Sequence, residues 1–257
     1  MPHLVTSQGH RLEYASWPPP ASSTATPILL LHEGLGCVSM WRDFPAALAA
    51  RTGRRVAAYS RLGHGQSGPR PAPHGVGFMH DEARQVLPEV LDQLGLEQAV
   101  LLGHSDGGSI ALLFAALYPT RATALVLEAP HVFVEPISIA SITRMKAAYA
   151  ATDLPARLAK YHGANTEGAF RGWNDIWLLP AFAAWNIEDV LPDVTCPTLV
   201  LQGTDDEYGT AQQVEAIARQ AGGRVETAWL DACGHSPHRD QPEAVLTSIA
   251  AFLGAQG

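Results

Sequence analysis

The sequence predicts an α/β protein: a mostly parallel central sheet flanked by helices on both faces. Short, continuously apolar runs alternate with stretches whose apolar residues have helical spacing, the pattern of strands buried on both sides. The chain has 257 residues, enough for one large domain. It is 47% hydrophobic and only 16% charged, so a large core can form and global disorder is excluded.

The expected strands are Arg11–Trp17, Pro27–His32, Arg54–Tyr59, Ala99–Gly103, Ala122–Glu128, Pro197–Gly203 and Arg224–Leu230. The expected helices between them are Met40–Ala50, Phe78–Leu94, Ser105–Tyr118, Thr210–Gln220 and Gln241–Leu253. Pro18-Pro19-Pro20 cannot continue a central strand and reads as a hairpin or edge loop. The Pro/Gly-rich stretch 65–77 reads as a surface loop rather than a linker. One region breaks the alternation. From His131 to Val190 there is no good strand, only several short helices carrying Trp173, Trp177 and Trp185. The expected organisation is therefore a core of 1–130 and 191–257 with a helical cap, 131–190, over one edge of the sheet.

Charge and composition exclude several functions. Seventeen basic against 25 acidic residues give −8, with no Lys/Arg-rich run, so no nucleic-acid partner is expected. The longest apolar run, Ile110 to Tyr118, is about half a membrane span, and Met1-Pro2-His3-Leu4 lacks the blocks of a signal peptide. A soluble, cytoplasmic protein with no membrane partner is expected, as a monomer or homodimer. Cys37, Cys196 and Cys233 lie far apart without CxxC spacing, and no two of the 11 histidines have i, i+4 spacing with an acid between. No metal is expected. The loop Arg61 to Ser67 lacks a G-x-x-x-x-G-K cradle, and no dinucleotide fingerprint occurs, so no cofactor is expected either.

The chemistry lies elsewhere. Gly103-His104-Ser105-Asp106-Gly107 matches G-x-S-x-G between the apolar run Ala99-Val100-Leu101-Leu102 and the helical segment that follows. So sharp a strand-to-helix turn strains the serine backbone, needs small neighbours, and lifts the Ser105 hydroxyl above the sheet at the positive end of a helix. A serine is a weak nucleophile until a base takes its proton, and the base needs an orienting carboxylate. The strand ending at Gly203 runs into Thr204-Asp205-Asp206-Glu207, at the carboxyl edge where ligands bind in open α/β sheets. Gly234-His235, after the last strand, supplies the base. His238 is the local rival, expected to face the surface. Asp205, Asp206 and, at the end of another strand, Glu128 all remain open as the acid.

With these pieces placed, the chain resembles the α/β-hydrolase-fold serine hydrolases over essentially its whole length. The resemblance rests on His32-Glu33-Gly34-Leu35-Gly36, Ser60-Arg61-Leu62-Gly63-His64-Gly65-Gln66-Ser67, the Ser105 elbow, the Asp pair and Gly234-His235, in the order Ser, Asp, His. It implies a catalytic triad of Ser105, Asp206 and His235, with Asp206 chosen because it lies three residues after the strand-ending glycine. It implies an oxyanion hole built from the N–H groups of Gly34 and Asp106. The chain departs from the pattern at Glu33, where relatives generally carry glycine.

Glu33 and Asp106, both beside expected oxyanion donors, admit two readings. Asp106 stabilises its helix and Glu33 pairs with Arg61, or one of them receives an amino group of the substrate. Glu33, His131, Trp173, Trp177, Trp185 and Tyr208 are the expected substrate-binding residues. The expected activity is cofactor-independent hydrolysis of a small or medium apolar carboxylic ester, a small-molecule ester-like substrate. The same triad is compatible with carbon–carbon bond hydrolysis of ring-fission products, or with thioesterase or lactonase activity. An aspartate nucleophile, as in haloalkane dehalogenases and epoxide hydrolases, is disfavoured by Ser105. A hydrolase-fold ligand receptor with little turnover is the alternative of another class.

Overall fold

A computed structural model describes residues 3–6, 8–19 and 23–255. Met1, Pro2 and Pro20, to which two of the expectations above refer, lie outside the described residues.

The strands are β1 (His3–Val5), β2 (Arg11–Trp17), β3 (Ile28–Leu31), β4 (Val56–Tyr59), β5 (Ala99–His104), β6 (Ala122–Glu128), β7 (Thr198–Gly203) and β8 (Val225–Leu230). They form one sheet in the order β1-β2-β4-β3-β5-β6-β7-β8. β1 and β2 enter antiparallel at one edge, and the rest are parallel. All seven expected strands are present. β1 is the addition: three residues at the edge are too few to show a period.

The helices are α1 (Phe44–Thr52), α2 (Phe78–Asp81), α3 (Leu87–Gln93), α4 (Asp106–Leu117), α5 (Pro136–Ala151), α6 (Leu154–His162), α7 (Thr166–Trp177), α8 (Ala211–Gln220), α9 (Pro237–Asp240) and α10 (Pro242–Gly254). The expected helix 78–94 is interrupted by a π-turn at Glu82–Val86, which separates α2 from α3. A 3₁₀ turn, Val38–Trp41, takes the start of the expected helix 40–50.

Strand periodicity divides the core in two. Leu29, Leu31, Leu101, Leu125 and Leu127 face α4 and α8 on one side. Ile28, Leu30, Val100, Leu102 and Val126 face α1 and α10 on the other. Alternate side chains of a strand point to opposite faces, and both faces of the central strands are covered, so β3, β5 and β6 are apolar along most of their length.

Between β6 and β7 lies the helical insert with α5, α6 and α7. Its only extended pairing among the described residues is an isolated bridge, Phe133 to Asn186, which ties the two ends of the insert together. Its polar anchors reach the loops after β3 and β4. The His162 Nε2–H donates to the Leu35 carbonyl at 2.9 Å, and its Nδ1 accepts from the Gly65 N–H at 3.0 Å. Asn165 donates to the carbonyls of Gly65 and Ser67. No helix among the described residues is long and apolar enough to cross a membrane.

Candidate active site

Three segments distant in sequence meet at the carboxyl edge of the sheet. Ser105 sits between β5 and α4 with φ 53° and ψ −118°. This backbone region is costly for a residue with a Cβ and persists only where the surroundings enforce it. The enforcement is visible in the flanking glycines. A Cβ on Gly107 would lie 2.0 Å from the Leu31 carbonyl oxygen, and one on Gly103 would lie 2.2 Å from the Gly107 oxygen. Neither position tolerates a side chain while the turn keeps its shape.

The His235 Nε2 lies 3.0 Å from the Ser105 Oγ, and its Nδ1 lies 2.9 and 3.0 Å from the two oxygens of Asp206. A carboxylate at Nδ1 requires the proton there, which leaves Nε2 free to accept the serine proton. Asp206 is itself held on every side. Gln202 donates to Oδ2 at 2.7 Å, and the N–H groups of Tyr208 and Gly209 donate to Oδ1 at 2.8 and 3.3 Å. Burial pushes the Asp206 carboxyl up, but the His235 charge and hydrogen bond and the Tyr208 N–H outweigh it and hold the pKa at about 2.

The other expected acids are placed differently. Asp205 is exposed, with its N–H on the Cys233 carbonyl. Glu128 is fully buried and receives the His238 Nδ1–H at 2.6 Å. That contact also corrects the reading of His238 as a surface residue. Its ring packs between Trp41, Phe44 and His104, because a buried carboxylate on β6 needs a partner.

The segment 32–36 is set by buried polar contacts. The Glu33 carbonyl accepts from the His32 Nδ1 at 2.7 Å, Arg61 at 2.8 Å and the Gly36 N–H at 3.1 Å. The peptide is planar, so fixing this carbonyl also fixes the Gly34 N–H in the opposite direction. The Gly34 carbonyl in turn accepts from His64 at 3.0 Å. Burial and the nearby Arg61 charge lower His32 to about 3, so it is neutral and its Nε2 accepts the Arg61 N–H.

Two expectations about the acids are corrected here. The Glu33 carboxylate does not pair with Arg61. It folds back over Gly36, where a Cβ would meet it at 2.2 Å, and faces His104 at 3.5 Å. Arg61 instead lies 3.6 Å from the buried Asp106, whose other oxygen accepts from the Trp177 indole at 3.2 Å. With both oxygens engaged inside the protein, Asp106 does not present its charge to a substrate amine, whereas the Glu33 carboxylate is partly exposed and, among the described residues, pairs only with His104.

Aromatic residues from the insert and from the segment after β7 surround His235. Tyr208 and His131 lie 4.7 and 5.6 Å from the His235 ring, measured between centroids. Trp177 packs edge-on against His131, and Trp173 neighbours Tyr208. A Cβ on Gly34 would lie 2.0 Å from the Trp173 Cδ1, so this indole rests directly on the expected oxyanion donor. Trp185 differs from the others. It stacks on Phe182 and flanks Trp177, as a packing residue behind the site, because its ring is drawn into the aromatic core of the insert.

The sequence gives no sign of the contacts of His104 and His162, nor of the pairing of Glu128 with His238. For the contact of Gln202 with Asp206 a signal exists, since a polar residue in a doubly buried strand must find a partner.

A family model described as the alpha/beta hydrolase fold matches residues 26–186. The chain belongs to the alpha/beta hydrolase fold family. An sn-1-specific diacylglycerol lipase of Danio rerio is 27% identical, with 89% of this chain and 78% of the lipase aligned. A human monoglyceride lipase is 28% identical, covering 95% of this chain and 86% of its own. Among solved structures, a proline iminopeptidase of Mycobacterium smegmatis superposes with a TM-score of 0.74 at 22% identity, over 99% of this chain and 98% of that one. That likeness concerns the fold alone. Taken with its relatives, the family member described here is a hydrolase.

Proposed function

We propose that this hydrolase cleaves a carboxylic ester of a small or medium apolar substrate, without a cofactor, through an acyl-enzyme formed on Ser105. The observation that carries the reading is the 3.0 Å contact of His235 Nε2 with Ser105 Oγ while Asp206 holds Nδ1. Ser105 attacks the ester carbonyl as His235 takes its proton. The N–H groups of Gly34 and Asp106 receive the oxyanion, worth about 3 kcal/mol each in such sites. His235 then passes the proton to the leaving alcohol, whose bond to the acyl carbon breaks as the oxyanion collapses to a carbonyl, leaving the acyl group on Ser105. A water molecule, deprotonated by His235, attacks the acyl carbon, and His235 returns the proton to the Ser105 oxygen as the carboxylic acid leaves. Asp206 keeps the proton on Nδ1 and balances the imidazolium that forms twice per cycle.

Two further observations support an ester with an apolar acyl part. The site is ringed by Trp173, Trp177 and Tyr208, and Asp106 beside the nucleophile is paired internally with Arg61 and Trp177. The two lipases are named for glycerides, which are carboxylic esters. In this reading the insert 131–190 acts as a cap, with Trp173 lying over the oxyanion donor.

The testing experiment is steady-state turnover of p-nitrophenyl esters of increasing acyl length, beside matched thioesters, lactones and dienoic ring-fission products. Multiple rapid turnovers on the esters, with the highest kcat/KM in the series, are expected. A single slow acylation without turnover contradicts the reading and indicates a ligand receptor.

Gly34→Ala adds a strong prediction. Its methyl collides with Trp173, so either the indole or the donor peptide must shift. Loss of one oxyanion donor corresponds to a fall of about 100-fold in kcat. Adding Trp173→Ala is expected to restore part of it. An unchanged kcat for Gly34→Ala would show that the indole yields while the Gly34 peptide keeps its place, contrary to this prediction.

A further inference from the structure

Immediately behind the triad lies a polar cluster that the proposed reaction leaves unused. His104, the residue before Ser105, is 2% exposed at the end of β5. Its Nε2 lies 2.5 Å from the main-chain oxygen of His235, so this nitrogen carries a proton and donates it. Its Nδ1 lies 3.5 Å from the Glu33 carboxylate, an ion-pair separation, and makes no hydrogen bond to a neighbour. Glu33 precedes Gly34. Two contacts of His104 therefore join the residue before the nucleophile to the residue before one oxyanion donor and to the main chain of the base.

The charge of Glu33 poses a physical problem. A carboxylate one residue from a donor of the oxyanion hole opposes the negative charge that develops there, and inside a protein such opposition is weakly screened. A proton on each nitrogen of His104 solves it, because the pair is then neutral overall while the His235 carbonyl keeps its donor.

We propose that Glu33 and His104 form a charge-balanced positioning pair, joining the oxyanion loop to the His235 loop, and that efficient hydrolysis requires the pair to be neutral as a whole. The inference rests on the esterase reading above. Other charged and titratable groups face the pair. From β6 comes Glu128, and from the segment after β8 come His235 and His238, their rings each 5.2 Å from that of His104. His32, Arg61, Asp106 and His162 surround the Glu33 side. Burial works against a charged His104, but the contact with Glu33, aided by Glu128, outweighs it and raises its pKa. Burial also pushes Glu33 up, and His104 more than reverses that, so its carboxyl sits below the usual range. As pH rises, the pair loses the His104 proton first, and an unbalanced negative charge appears beside the oxyanion hole.

The test is a charge-swap cycle on the full chain, with kcat/KM for p-nitrophenyl acetate measured from pH 5 to 10. His104→Gln keeps a donor for the His235 carbonyl but leaves Glu33 unbalanced. It is expected to lose at least about tenfold in kcat/KM at neutral pH. His104→Gln with Glu33→Gln removes both charges and is expected to regain most of that loss. It should also lack the alkaline decline that wild type shows when His104 deprotonates. A purely structural role gives the opposite pattern, with losses that accumulate in the double variant. That pattern, or a His104→Gln enzyme with wild-type rate and pH profile, overturns the proposal.

If His104→Gln does not fold, Glu33→Gln decides by NMR. The His104 imidazole should titrate at lower pH in Glu33→Gln than in wild type, and an unchanged titration overturns the pair. Wild type without any turnover would refute the esterase reading, whereas an active wild type with no rescue in the double variant refutes this inference alone.

Discussion

Asp206→Asn is expected to lower kcat by about 10⁴ with little change in folding. The Oδ1 position receives the N–H groups of Tyr208 and Gly209, so it must remain an oxygen. The amide nitrogen would then occupy the Oδ2 position, against the Gln202 donor and His235 Nδ1. Although Oδ1 still lies 2.9 Å from Nδ1, the amide nitrogen at 3.0 Å disfavours a proton there, so the imidazole shifts toward the tautomer with its proton on Nε2, which cannot accept from Ser105. Glu128→Gln provides the contrast. Its amide oxygen still accepts from His238 and does not face His235, so its effect on kcat should be at least about 100-fold smaller than that of Asp206→Asn. Steady-state kinetics of the two variants decide which carboxylate serves the base, and equal losses would contradict the assignment to Asp206.

Ser105→Ala is expected to lower kcat/KM by about a million-fold, to whatever the remaining oxyanion donors and binding contacts supply. The protein should still fold. Alanine keeps the same Cβ at φ 53°, so the strain of the turn is unchanged, and the hydroxyl caps no helical N–H. Thermal unfolding of the variant should match wild type to within about 1 kcal/mol. A variant with substantial residual turnover would place the nucleophile elsewhere.

The sheet and the spacing of Ser105, Asp206 and His235 were legible in the sequence because each depends on local rules. A strand buried on both faces must be apolar along most of its length, as at Leu29–Leu31 and Leu125–Leu127. The elbow needs glycine at 103 and 107 because carbonyl oxygens approach within 2.2 Å of where a Cβ would stand. His238 and the acids were misread because their partners lie far away in sequence. The pairing of Glu128 with His238 spans 110 positions, and that of Arg61 with Asp106 depends on how the loop after β4 folds beneath α4. Glu33 was visible as an anomaly, but its carboxylate finds His104 only because Gly36 leaves room for it to fold back. The three tryptophans of the insert look alike in sequence. Only packing separates Trp173, on Gly34, from Trp185, stacked on Phe182.

The most direct test of the central claim is covalent trapping with a fluorophosphonate, followed by peptide mapping of the intact wild-type protein and of His235→Ala. The account requires one adduct per chain, on the Ser105 hydroxyl, formed rapidly in wild type and at a greatly reduced rate when His235 is removed. Labelling of a different residue, or labelling of Ser105 at the same rate without His235, would contradict it.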